Sequence, residues 1–77
     1  MTEVELQSLI KHGTAVKLVA MPRAHDLVGY TLRIDLGRLA PQELKARRGN
    51  TRLFKKLETI EKLAQTVGAD RFEVVVE

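Results

Sequence analysis

Between residues 28 and 36 the chain alternates without a break. Val28, Tyr30, Leu32, Ile34 and Leu36 are separated by Gly29, Thr31, Arg33 and Asp35. Successive side chains of a strand point to opposite faces, so this period of two predicts a strand with one buried and one solvated face. Such a strand needs neighbours in a ladder and a cover over its apolar side.

Neighbours are close at hand. Residues 14–21 (TAVKLVAM) predict a second strand, with Val16, Leu18 and Ala20 on one face and Lys17 on the other. Pro22 is expected to end it, because proline has no ladder N–H, and PRAHD reads as a loop. Two strands so near in sequence pair most simply as an antiparallel hairpin. Residues 71–76 (RFEVVV) predict a last strand, with Phe72, Val74 and Val76 inward and Arg71, Glu73 and Val75 outward. Gly29, inside an alternating run, points to a bulge or a close backbone approach.

The cover comes from two helices. In residues 57–67, Leu57, Ile60, Leu63, Ala64 and Val67 trace an apolar stripe, and Glu58, Glu61, Lys62 and Gln65 lie off it. Glu58 and Lys62 form an i,i+4 pair in the favourable order, and Gly68 supplies the stop. Residues 3–12 predict a shorter helix. Thr2 and Glu5 have capping-box spacing, Leu6, Leu9 and Ile10 share a face, and Lys11 and His12 suit the negative end of the helix dipole before Gly13. Residues 38–49 admit two readings. In one, Pro41 opens a helix through Gln42, Glu43, Leu44 and Lys45. In the other, which we favour, Glu43 to Arg47 is a strand that turns at Arg48, Gly49 and Asn50 into Thr51 to Lys55. The expected architecture is one α+β domain over residues 1–77. It is a small, mostly antiparallel sheet with helix 57–67 and the short N-terminal helix packed on one face.

Chemistry-bearing constellations are sparse. With no cysteine among the 77 residues, disulfides and thiolate metal sites are excluded, and a cytoplasmic setting is expected. His12 and His25 have neither the partners nor the spacing of a zinc site, so no metal is expected. Ser8 has no nucleophile elbow around it, and the glycines form no phosphate loop. No run approaches the length of a membrane span, and no membrane or cofactor binding is expected. The reading is of a non-enzymatic protein.

The remaining signal is charge. Between residues 38 and 56, seven basic residues meet a single acid, Glu43, for a local net charge of +6. The rest of the chain holds six basic and nine acidic residues, a net −3. Lysine and arginine release counterions from a phosphate backbone, and arginine is the commonest reader of guanine. The segment LKARRGNTRLFKK is therefore the candidate DNA contact. Arg47, Arg48 and Arg52 are its expected main contacts, and Lys45, Lys55 and Lys56 its backbone holders. The three aromatics, Tyr30, Phe54 and Phe72, fit core positions, which disfavours a base-stacking platform. The competing readings are a solvated face that aids solubility and a protein-partner or self-association module that uses the terminal strand as an open edge.

One resemblance bears on this half of the chain. Leu44, Arg48, Gly49, Arg52, Phe54, Leu57, Glu58 and Thr59, followed by Leu63, Gly68, Arg71, Phe72 and Val74, resemble a pattern of ParC-family, partition-associated small proteins of plasmids and integrative elements. The likeness covers residues 44–76. It implies a bacterial mobile-element setting, favours the hairpin reading of residues 43–55, and marks Arg48, Gly49 and Arg52 as the positions to carry over. Glu58 stands where the pattern more often has aspartate, and the N-terminal half matches no motif.

Overall fold

A computed structural model describes residues 1–23 and 28–76. The chain forms α1 (Glu3–Lys11), β1 (Lys17–Pro22), β2 (Tyr30–Asp35), β3 (Gln42–Glu43), α2 (Leu57–Val67) and β4 (Glu73–Val74). The strands lie in one four-stranded sheet in the order β3-β2-β1-β4. β1 and β2 are antiparallel over six residue pairs, from Lys17 with Asp35 to Pro22 with Tyr30. β3 joins β2 antiparallel, and β4 joins β1 parallel. The expected α+β architecture and its mostly antiparallel sheet are present.

The alternation read from residues 28–36 has the expected consequence over most of its length. Leu32 and Ile34 are fully buried, Tyr30 and Leu36 are half-buried, and Val28 is exposed. Leu32 and Ile34 share one buried cluster with Leu18 and Ala20 of β1, Leu6 of α1, and Ile60, Leu63, Ala64 and Val67 of α2. Leu44 and Phe54 complete it. Burying a side chain of this size is worth roughly 1.5–3 kcal/mol, so the cluster is what holds the layers together. Among the described residues no charged or polar side chain is buried.

Four expectations need correction. β1 starts at Lys17, so residues 14–16 precede the strand. Pro22 lies within the ladder as its last member, opposite Tyr30. It is tolerated because Tyr30 directs its own N–H and C=O to Phe54, at 2.7 and 2.9 Å, so the Pro22 pair exchanges no hydrogen bonds. The terminal strand shrinks to Glu73–Val74, and Val76, expected inward, is 87% exposed because it lies beyond the paired residues. The helix reading of residues 41–45 fails outright, since β3 occupies part of that stretch. The expected loop at residues 22–26 and His25 fall largely outside the described residues.

Gly29 marks a close backbone approach rather than a bulge. It has φ +111°, and a Cβ there would sit 2.6 Å from the Phe54 carbonyl oxygen. Only glycine accepts both the backbone conformation and the crowding.

Candidate nucleic-acid interface

The basic segment departs from the sheet and returns to it. β3 brings Leu44 beside Leu32, whose carbonyl accepts from the Leu44 N–H at 2.9 Å. The next contact with β2 along the same edge is Phe54, which bridges Tyr30. Residues 45–53 are thus an excursion between two buried side chains, Leu44 at 0% and Phe54 at 2% exposure. Within it Lys45 bridges Thr51, and the Arg52 N–H donates to the Leu44 carbonyl at 3.0 Å. The tip closes where the Ala46 N–H reaches the Asn50 carbonyl at 2.7 Å and the Gly49 N–H reaches Ala46 at 2.9 Å. Gly49 takes φ +89° at this turn, a conformation that strains side-chain-bearing residues. The segment is therefore a hairpin, shorter and less regular than the expected one.

The six candidate side chains divide into three groups. Lys45, Arg47 and Arg48 ride on the excursion and are exposed. Lys45 and Arg47 line a concavity together with Arg52 and the start of α1. Lys55 and Lys56 follow Phe54 and lead into α2, where Lys56 is the N-cap and makes no side-chain capping bond. Arg52 differs from the others. It is half-buried, its Nη1 lies 3.4 Å from Glu3 Oε1, and its guanidinium carbon lies 5.1 Å from the centre of the Phe54 ring. Among the described residues the other five form no ion pair, whereas the acid within the segment, Glu43, accepts a hydrogen bond from the Thr51 hydroxyl at 2.6 Å.

The neighbours of this loop lie far away in sequence. The Met1 carbonyl accepts from the Lys45 N–H at 2.7 Å, and the Met1 nitrogen donates to the Glu43 carbonyl at 3.3 Å. The first turn of α1 thereby borders the outer side of the excursion. No local pattern announces Glu3 or Met1 as part of this region. The only signal available is that Glu3 is an acid in the first turn of a well-capped helix.

Phe54 is buried, and Tyr30 and Phe72 are half-buried, so no exposed aromatic offers a stacking surface. Among the described residues no group of three or more His, Cys, Asp or Glu side chains is placed to hold a metal ion. His12 is exposed, and its Nδ1–H donates to the Ser8 carbonyl at 2.7 Å, a helix-end role. Among the described residues no helix is long and apolar enough to cross a membrane. Compared with protein-family models, with curated proteins and with solved structures, the chain matches none.

Proposed function

We propose that the domain is a non-enzymatic accessory protein of a bacterial mobile element that binds duplex DNA through residues 45–56. The observation that supports this reading is the exposed state of Lys45, Arg47 and Arg48 on an excursion held at both ends by buried residues. Cations that form no ion pair among the described residues, carried on an anchored loop, meet a phosphate backbone at little conformational cost. Lys55 and Lys56 extend the positive charge toward α2, and the mobile-element setting follows from the ParC-family likeness of residues 44–76.

The test is a titration against duplex DNA over a series of salt concentrations. Binding should weaken as salt rises, with a slope set by the number of neutralised phosphates. Replacing Arg47 and Arg48 together with alanine should lower that slope by about two. A wild-type protein that shows no affinity for duplex DNA even at low salt would sink the reading.

A second reading draws on the opposite edge of the sheet. Among the described residues β4 has a ladder partner on one side only, and Val74 within it and Val76 just beyond it are 38% and 87% exposed. An open apolar edge is a template for another strand, which favours self-association. Light scattering coupled to size-exclusion chromatography would report a dimer, and a monomer at high protein concentration would remove this alternative.

A further inference from the structure

We infer that Arg52 is a positioning residue, which latches the basic excursion to the first turn of α1 through Glu3 rather than contacting the ligand itself. The inference rests on the DNA-binding reading for its functional meaning and on geometry for its substance.

Three observations converge on the latch. The guanidinium of Arg52 is engaged on two sides, by Glu3 Oε1 at 3.4 Å and by the Phe54 ring at 5.1 Å from its centre. The two charged residues are 49 positions apart, so the pair ties the helix start to the returning arm of the loop rather than joining neighbours along one element. Backbone bonds add to it, from Lys45 to Met1 at 2.7 Å and from Arg52 to Leu44 at 3.0 Å, so the loop base is also tied to the residues just before α1 and just after β3. A phosphate approaching Arg52 meets a carboxylate already held at Nη1, which repels it. Arg47 and Arg48 form no ion pair among the described residues, although Arg47 shares a concavity with Glu3. The segment thus splits into cations that hold the loop and cations that the loop presents.

The roles separate in one experiment on the full chain. Variants Glu3→Gln, Arg52→Gln, Arg48→Gln and the charge swap Glu3→Arg with Arg52→Glu are compared by amide hydrogen exchange and by salt-dependent duplex DNA binding. Exposed ion pairs contribute little, so Glu3→Gln should speed exchange at residues 45–52 by about two- to fivefold. Arg52→Gln loses the aromatic contact as well and should speed it on the order of tenfold. The swap should restore part of the protection, and core amides of β1 and β2 should be unchanged in all four. Arg48→Gln should lower the salt slope by about one with loop exchange unaltered, whereas Arg52→Gln should weaken binding with the slope retained. Unchanged loop exchange in both Glu3→Gln and Arg52→Gln would overturn the latch. A slope lowered by one in Arg52→Gln, with tighter binding by Glu3→Gln, would make Arg52 a contact and overturn it equally. Failure of the wild type to bind DNA would sink the DNA reading alone, because the exchange arm judges the latch without any ligand.

Discussion

The two helices of this domain are made in opposite ways. α1 is specified at its ends. The Thr2 hydroxyl accepts from the Glu5 N–H, the Glu5 carboxylate accepts from the Thr2 N–H at 3.2 Å, and His12 closes the other end. Its only fully buried side chain is Leu6. α2 is specified by its face. It begins at Lys56 with no side-chain cap, yet it buries Ile60, Leu63, Ala64 and Val67. A short helix is unstable alone, and either capping or packing can supply what is missing. The difference matters here because both helix starts border the basic segment. The well-capped one offers it an acid, Glu3, and the uncapped one offers it a cation, Lys56.

Truncating the packed helix should have the largest effect. Ile60→Ala should cost about 2–5 kcal/mol, through lost burial and the cavity left behind. Urea unfolding measures it, and a loss well under 1 kcal/mol would mean that α2 does not depend on its face. Thr2→Ala should cost about 1 kcal/mol and confine faster exchange to the first turn of α1. The carboxyl of Glu5 is held below the ordinary carboxylate range, chiefly by the backbone N–H of Thr2 and next by its hydroxyl. Because folding lowers this value, the stabilisation is complete above the ordinary carboxylate range and is lost as pH falls through the folded value. The stability gap between wild type and Glu5→Gln should therefore close on acidification, as followed by urea midpoints at stepped pH. A gap that widened instead would reverse the assignment.

The smallest effect carries the sharpest sign. A cation at a helix N-terminus opposes the dipole, and lysine caps nothing. Lys56→Ser should raise stability by about 0.5–1 kcal/mol in the same urea assay. If Lys56 holds a phosphate, that variant should also lower the salt slope of DNA binding by about one. Stability and binding would then move in opposite directions at a single residue, whereas a purely structural Lys56 would change stability alone.

What was legible in the sequence follows from what is local. The capping box of α1, the stripe of α2 and the alternation around Leu32 and Ile34 each reside in a few consecutive residues, and each has the expected structural counterpart. The parallel partnership of β1 with β4 does not, because a pleated strand records which face is buried and not which strand lies beside it. The same limit hid the Pro22 pair, whose tolerance depends on where Tyr30 sends its hydrogen bonds. In the basic segment the sequence identified the charges but not their surroundings. Arg52 reads like Arg47 and Arg48 until Glu3, from the far end of the chain, arrives beside it.

The return of the chain to the edge of β2 at Phe54, ten residues after leaving it at Leu44, has a consequence for how such a domain can change. Its two stem residues sit in the buried cluster, and everything between them lies outside the β2 ladder. Closing a somewhat longer or shorter stretch between fixed ends alters free energy only slowly with length. The tip of that stretch, residues 46–50, is thus a natural insertion point, where residues can be added or removed while the scaffold beneath keeps its stability.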